Sequence, residues 1–147
     1  GLGDVYKRQY LNYATHIAKE SSFNTWPVIA IYGVMLNLQW LKEQGGVAAI
    51  AKINTQKAET IYAEIDRNSM FEGTAVAEDR SQMNATFVLK QENLKTDFDA
   101  LLKEAGIASL AGHRDVGGYR ASMYNALPLE SVQVLVEVMK NFEQKFG

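Results

Sequence analysis

Cysteine is absent from this 147-residue chain, and proline and histidine are scarce, with two of each. The absence of cysteine excludes disulfides and thiolate metal sites. His16 and His113 lie far apart, and no HExxH-like spacing occurs. The sequence therefore predicts no metal site.

Excess charge and long apolar runs are also missing. The net charge of −2 gives no electrostatic case for a nucleic-acid partner. The longest apolar run, residues 28–38, is interrupted by Asn37 and is too short to cross a membrane. Because the first residues lack the apolar core of a secretory signal, we expect a cytoplasmic protein with no membrane partner.

The composition is that of a globular chain with room for a real core. Apolar residues make up 47% and charged residues 22%. Residues 1–9 fit neither a helix nor a strand, and we interpret them as a non-native scar. Residues 10–22 are polar and mixed, which predicts an extended lead-in.

A strongly apolar helix is predicted next. Thr25 is a plausible N-cap and Pro27 suits the first turn, and the helix should end near Gln44, before a glycine pair. Over residues 28–41 the apolar side chains cover nearly the whole circumference. Such a helix must be buried on all sides, so we expect a missing domain or a partner subunit to cover it.

The rest of the chain mixes helices and short strands. A helix over residues 47–67 carries an apolar stripe with Lys57 as its polar exception, which we expect to be solvated or at an interface. The later predicted elements are strands at 70–73 and 83–89, a helix over 91–105, a hairpin, and a last helix opened by Pro128. This order predicts an α+β fold, with a small, mostly antiparallel sheet and helices on one face.

The predicted hairpin contains the candidate ligand-binding residues. Residues 107–110 are apolar, residues 119–124 alternate in period two, and glycines lie between them. The pattern places His113 and Arg114 at the tip and Arg120 on one face. Arginine presents a planar fork of donors that matches carboxylate or phosphate oxygens, so the group suggests a receptor for a dianion. The alternative is a set of ordinary solvated surface cations.

Four motifs resemble one family. The segment GHRDVGGYRASMYNALPLE at 112–130 is similar to a GHRSVGG-x-RAS-x-YNA pattern of phosphoserine aminotransferases. In the same order as in that family, FNT at 23–25 resembles its YNT motif, WLKEQGG at 40–46 a helix end, and DRSQMN at 79–84 a strand entry. The chain thus resembles the C-terminal portion of this pyridoxal-phosphate-dependent, class V aminotransferase family.

The resemblance implies a homodimeric fold type I transferase. It would move the amino group of glutamate to 3-phosphohydroxypyruvate, giving 2-oxoglutarate and phosphoserine, in serine and pyridoxal phosphate biosynthesis. Arg120 resembles the arginine that binds the substrate carboxylate, and His113 and Arg114 the pair that binds the substrate phosphate. Asn24 and Thr25 resemble the pair that contacts the phosphate of pyridoxal 5'-phosphate in the neighbouring subunit.

The resemblance also implies that parts are missing. The family's Schiff-base lysine lies in an upstream AGAQKN-like segment, and none of the ten lysines here has that context. We therefore expect no catalytic residue and no covalent cofactor attachment in this chain, which should be inactive alone. Trp26 replaces a common proline of the family.

Three segments follow from this assignment. Residues 1–9 are the scar, residues 10–45 are the remnant of the large cofactor-binding domain with an interface helix, and residues 46–147 are the small α+β domain. Two alternatives remain open, a non-catalytic module that binds phosphorylated metabolites and a dimerisation module. Without the resemblance, Asn24 and Thr25 are interpreted as a helix cap only.

Overall fold

A computed structural model of the protein describes residues 10–112 and 117–147. Contacts divide the chain into two units between Glu43 and Gln44. No helix in the described ranges is long and apolar enough to cross a membrane. Nor do the described residues include a group of three or more potential metal ligands among His, Cys, Asp and Glu.

The N-terminal unit begins with a short helix, α1 (Tyr13–Ile17). The Asn12 side chain caps it by accepting a hydrogen bond from the Ala14 amide at 3.0 Å. The His16 ring packs on Tyr10 at 5.5 Å and donates to the Tyr10 carbonyl at 2.8 Å. The predicted extended lead-in over residues 10–22 is therefore wrong, because the cap and the local ring contacts stabilise a helical turn.

The apolar helix α2 (Val28–Glu43) follows in the same unit. Its first turn closes through a hydrogen bond from the Ile31 amide to the Pro27 carbonyl, at 3.1 Å. Pro27 therefore flanks the helix, and the prediction that Thr25 caps it is wrong. No residue of α2 is buried, and Ile29 is 85% exposed. The cover that we expect over this helix stays a prediction.

The second unit contains three long helices and three strands. In chain order they are α3 (Gly46–Arg67), β1 (Phe71–Gly73), β2 (Asn84–Leu89), α4 (Lys95–Glu104), β3 (Tyr119–Ser122) and α5 (Leu129–Phe146). Single 3-10 turns at 77–79 and 92–94 precede β2 and α4. The last helix begins directly after Pro128, as predicted.

The strands form one antiparallel sheet in the order β1-β2-β3. Phe71 pairs with Leu89, and Ala85 pairs with Ala121. Alternate residues of β2 and β3 are buried, so one face of the sheet belongs to the core. Helix α3 packs on β1, β2 and α5, and α4 packs on α5. The predicted α+β fold is confirmed.

Aromatic rings fill the space between sheet and helices. Phe98 lies 5.0 Å from Phe142 and 5.1 Å from Tyr119, while Phe71 lies 5.6 Å from Phe87. All four phenylalanines are at most 1% exposed. A tilted contact of 5.0 Å between Phe71 and Phe98 links the two groups, so the rings join α4, α5 and all three strands in one core.

The first arm of the predicted hairpin is wrong. Residues 107–110 form no strand, and Ala111 makes only an isolated bridge with Tyr119. The cause is local, because Ser109 has a φ of 59°, in the left-handed region that interrupts an extended chain. Only the second arm, β3, is a true strand.

Ion pairs join the elements at the surface. Glu143 on α5 accepts a hydrogen bond from the Ser69 amide and another from Arg67, both at 2.7 Å. Arg80 binds Asp66 through two hydrogen bonds of 2.6 and 2.7 Å. Because Arg80 is largely buried and Asp66 is exposed, this ion pair lies at the edge of the core.

These contacts predict how stability depends on pH. The Ser69 amide and Arg67 lower the pKa of Glu143, and Arg80 lowers the pKa of Asp66. A carboxyl with a lowered folded-state pKa stabilises the fold above its unfolded pKa and loses that contribution as the pH falls through the folded value. We therefore expect the free energy of unfolding to decrease below about pH 5, as unfolded-state carboxyls with pKa values of about 4 take up protons.

Urea unfolding from pH 7 to pH 3, followed by circular dichroism, measures this dependence. Glu143→Gln should make the decrease of the free energy of unfolding below pH 5 smaller. Glu104→Gln serves as the control, because Glu104 is exposed and has no ion-pair partner among the described residues. If the free energy of unfolding of both variants falls with pH as steeply as that of the parent chain, Glu143 does not contribute to this pH dependence.

Candidate functional site

A cleft of about 330 Å³ opens beside β3, with Arg120 in its wall. The hydroxyl-bearing residues Ser109, Ser122 and Ser131 and several leucines, including Leu110 and Leu127, complete the lining. A concave site with a few polar groups among apolar walls is typical of small-molecule binding. All of it lies within the second unit.

Three arginines lie in the part of the chain that the structure describes, and of these only Arg120 has an unpaired guanidinium. Arg67 binds Glu64 and Glu143, and Arg80 binds Asp66. Across residues 10–112 and 117–147, the Arg120 side chain has no hydrogen-bond or ion-pair partner and is exposed. An unpaired fork in the wall of a cleft can receive both oxygens of a carboxylate.

Hydrogen bonds on both sides fix the strand that carries Arg120. On one side Arg120 pairs with Thr86 in the β2–β3 register. On the other side its amide donates to the Leu110 carbonyl at 2.7 Å, and the Gly112 amide donates to the Gly118 carbonyl at 2.9 Å. The cation therefore projects from a backbone that is held along both edges.

The neighbouring Tyr119 anchors β3 to the core. Its hydroxyl donates to Asp99 on α4 at 2.8 Å, and its ring stacks on Phe87 at 5.4 Å. Burial raises the pKa of the Tyr119 hydroxyl, and the bond to Asp99 adds to the effect. Tyr119 thus remains a neutral donor, which suits a structural anchor beside the exposed Arg120.

The glycine turn beside the strand has a steric cause. A Cβ on Gly112 would lie 2.0 Å from the Gly117 carbonyl oxygen. Gly118 has a φ of 65°, and a Cβ there would lie 2.7 Å from the Phe87 carbonyl oxygen. Only glycine fits these positions without rearrangement, which accounts for the glycine pattern found in the sequence.

The predicted phosphate-binding residues, His113 and Arg114, lie outside the described residues. Of the described residues on either side, Gly112 and Gly118 are joined by a hydrogen bond. The roles of His113 and Arg114 remain predictions.

The predicted cofactor-binding residues, Asn24 and Thr25, belong to the N-terminal unit and precede α2. Both are exposed. The Asn24 amide donates one hydrogen bond to the Tyr10 hydroxyl at 3.1 Å. Within the described ranges, the Thr25 hydroxyl has no partner, so both residues retain donors that can bind a phosphate. Their assigned role stays a prediction.

The buried position of Lys57 was not predicted from the sequence. We expected a solvated or interfacial lysine, and this is wrong because the residue is 0% exposed on α3. Its ammonium group donates to the carbonyls of Met123, Tyr124 and Leu127. The signal was its place in the apolar stripe of the helix, a position that only a fully hydrogen-bonded cation can occupy.

Curated relatives match nearly the whole chain. A phosphoserine aminotransferase of Flavobacterium psychrophilum is 62% identical over 135 residues, covering 92% of this chain. One from Bacteroides thetaiotaomicron is 53% identical over 136 residues, covering 91%. In each case the match covers 38% of the relative, so this chain spans well under half the length of these proteins.

Solved structures agree. A phosphoserine aminotransferase from Bacillus circulans subsp. alkalophilus superposes with a TM-score of 0.83 at 40% identity, over 93% of this chain and 38% of that one. A pyridoxal-phosphate-bound phosphoserine aminotransferase from Trichomonas vaginalis gives 0.77 at 36% identity, over 87% of this chain and 37% of that one. The resemblance stated from the motifs is confirmed.

The profile of one protein family spans most of the sequence. It is described as Aminotransferase class-V, and it matches residues 1–135. The match includes the strand of Arg120 and the glycine turn beside it. On this evidence the chain belongs to the class-V aminotransferase family.

Proposed function

We propose that this chain is the C-terminal portion of a phosphoserine aminotransferase and supplies the carboxylate-binding arginine of its substrate site. The reaction is transfer of the amino group of glutamate to 3-phosphohydroxypyruvate. The observation that carries the proposal is that Arg120 lines the cleft and has an unpaired guanidinium, whereas the other described arginines, Arg67 and Arg80, are bound to carboxylates elsewhere. The names of the relatives support the substrate class.

The chemistry of the substrates requires separate cationic anchors. Phosphoserine carries a carboxylate at one end and a phosphate of about −1.5 to −2 charge at the other. Arg120 binds the carboxylate that all the substrates share, and His113 and Arg114 bind the phosphate. Two anchors at opposite ends hold the reacting carbon in one orientation, which contributes much of the catalytic advantage of a bound substrate.

The cofactor of this family is pyridoxal 5'-phosphate, which supplies the electron sink for amino-group transfer. Asn24 and Thr25 are exposed and retain free donors, so they fit contacts to its phosphate from the neighbouring subunit of a homodimer. Lys57 is not a candidate for covalent attachment, because its ammonium group already donates to three buried or part-buried carbonyls. We place the attachment lysine in the part of the relatives that this chain does not match.

The domain assignment is part of the proposal. Residues 10–45 belong to the large cofactor-binding domain and residues 46–147 form the small domain, a boundary close to the division between Glu43 and Gln44. The exposed apolar side chains of α2 support this assignment, since Ile29 and Val28 are 85% and 65% exposed. We propose that the rest of the large domain and the dimer mate cover them.

A reconstituted chimera tests the proposal. In it this chain replaces the matching segment of the Flavobacterium psychrophilum relative. We expect the chimera to form an active, cofactor-loaded dimer, and the isolated chain to give no site-specific borohydride-reducible adduct with pyridoxal phosphate. Mass spectrometry after reduction locates any adduct among the ten lysines of the chain.

Three outcomes are informative. A single adduct in the upstream segment of the chimera, with a dimer in sedimentation, supports the proposal. A single reducible adduct on one lysine of the isolated chain overturns the inactive-fragment assignment. Phosphoserine binding by the isolated chain that is lost in Arg114→Ala and Arg120→Ala favours the alternative, a non-catalytic binding module.

A further inference from the structure

A buried lysine connects α3 to the segment that follows the Arg120 strand. Lys57 is 0% exposed, and its Nζ donates hydrogen bonds of 3.1, 2.8 and 3.1 Å to the carbonyls of Met123, Tyr124 and Leu127. An ammonium group has three donors, and all three are used here. The lysine therefore closes the 123–127 segment around one positive charge.

A second contact comes from one turn earlier on the same helix. The amide nitrogen of Asn54 donates to the Asn125 side-chain oxygen at 2.8 Å, and Asn54 is 4% exposed. Together Asn54 and Lys57 hold four of the five residues from 123 to 127. We name this set of contacts the α3 clamp.

The clamped segment is part of the cleft. Met123 and Leu127 line it together with Arg120. Met123 directly follows β3, and its amide donates to the Met83 carbonyl at 2.7 Å, which extends the β2–β3 pairing past Ser122. A shift of the clamped segment therefore moves the end of the strand that carries Arg120.

Because the Lys57 ammonium group is buried, the α3 clamp is stable only when all its hydrogen bonds are formed. Desolvation lowers the pKa of Lys57 from its ordinary value. A buried ammonium is tolerated only when its hydrogen bonds are complete, so a partly opened clamp is disfavoured. The segment consequently has one favoured position relative to α3.

We propose that Lys57 is a positioning residue for substrate binding. It fixes the 123–127 segment so that the Arg120 guanidinium meets the substrate carboxylate in the correct orientation. Lys57 itself does not line the cleft and does not touch the substrate. The inference rests on the proposed function of Arg120.

Steady-state kinetics of the chimera tests the proposal. Lys57→Met keeps the length of the side chain and removes its three donors. We expect KM for glutamate to rise about tenfold or more with a smaller change in kcat, because a displaced anchor weakens the orientation of bound substrate. Lys57→Arg, which restores donors, should recover part of the loss.

Two control variants separate positioning from general destabilisation. Lys52→Met removes an exposed lysine of the same helix and should leave KM unchanged. Ile65→Ala truncates a buried side chain of α3 near Gly73 and should lower the melting temperature without raising KM. If Lys57→Met raises KM no more than Ile65→Ala, the positioning role is overturned.

Amide hydrogen exchange in the cofactor-free chain gives an independent readout. Lys57→Met should speed exchange of the Arg120 and Met123 amides, which bond to Leu110 and Met83. The Lys90 amide, which bonds to Met70 at the far side of the sheet, should change little. Equal acceleration at all three amides contradicts the proposal.

The same measurements distinguish failure of the proposed role of Arg120 from failure of the proposed role of Lys57. Arg120→Ala must raise KM for glutamate; if it does not, the proposed function fails whatever Lys57 does. If Arg120→Ala raises KM and a folded Lys57→Met does not, only the positioning role fails. Should Lys57→Met not fold, Asn54→Ala opens the other half of the clamp, and an unchanged KM in that variant overturns the proposal.

Discussion

Replacing Arg120 by alanine in the chimera is expected to lower kcat/KM about a hundredfold for glutamate and for phosphoserine alike. Both substrates carry the carboxylate that we assign to this guanidinium. Each hydrogen bond to a charged group contributes roughly 1.5–3 kcal/mol. Loss of two such bonds costs about 3 kcal/mol at the low end, which corresponds to about two factors of ten.

Two companion variants test the division of roles. Arg114→Ala should penalise phosphoserine and spare glutamate, which has no phosphate. Arg120→Lys should recover only part of the activity, since an ammonium cannot form the paired bonds of the planar fork. Lys90→Ala removes an exposed cation next to β2 and serves as the charge-matched control. Equal loss of the glutamate half-reaction in Arg114→Ala and Arg120→Ala contradicts this division.

Replacing Phe142 by alanine is expected to lower the free energy of unfolding of the second unit by about 3–5 kcal/mol. Phe142 is 0% exposed and lies within 5.9 Å of the rings of Phe71, Phe98 and Phe146. Its removal leaves a cavity at the point where α5 meets α4 and the sheet. For a unit of this size the melting temperature should drop by roughly 12 °C or more.

The matched control is Phe146→Ala, because this ring is only partly buried at the end of the same helix. Phe146→Ala should lower the free energy of unfolding by clearly less than Phe142→Ala does. Circular dichroism is a suitable probe, since the helices α3, α4 and α5 make up much of the second unit. Equal destabilisation by the two substitutions contradicts the assigned centre of the core.

Helices and strands with strong periodicity could be predicted from sequence. The stripe of α5, the alternation of β2 and the proline before α5 each indicate an element through contacts that are local in sequence. Segment 10–22 could not be predicted in this way. Its helix depends on the Asn12 cap and on ring contacts of His16 with Tyr10 and Phe23, which its mixed polar composition does not reveal.

The same limit explains Lys57. The three carbonyls that stabilise its charge lie 66 to 70 residues away along the chain. The apolar stripe indicates that position 57 faces the core, but no local pattern indicates that these acceptors converge on α3 to stabilise a buried charge. Ser109 is a second example, because nothing in the apolar run 107–110 predicts its positive φ.

The position of Arg120 in the candidate site could be predicted from the sequence, but its lack of a partner could not. Arg120 stood out because a β-strand alternation beside a glycine turn placed it on one face of the strand, and in the structure that residue is exposed. Its free guanidinium could not be predicted, since that depends on Asp66, Glu64 and Glu143 being paired with other arginines. The proposed contribution of Asn24 and Thr25 depends on a second subunit, which one sequence does not describe.

The most direct test of the central claim is a crystal structure of the cofactor-loaded chimera with bound phosphoserine. We predict that the two carboxylate oxygens lie within about 2.7–2.9 Å of the Arg120 guanidinium, in the paired geometry typical of arginine and carboxylate. A phosphoserine carboxylate bound by other side chains, with Arg120 directed away from the ligand, would contradict the account.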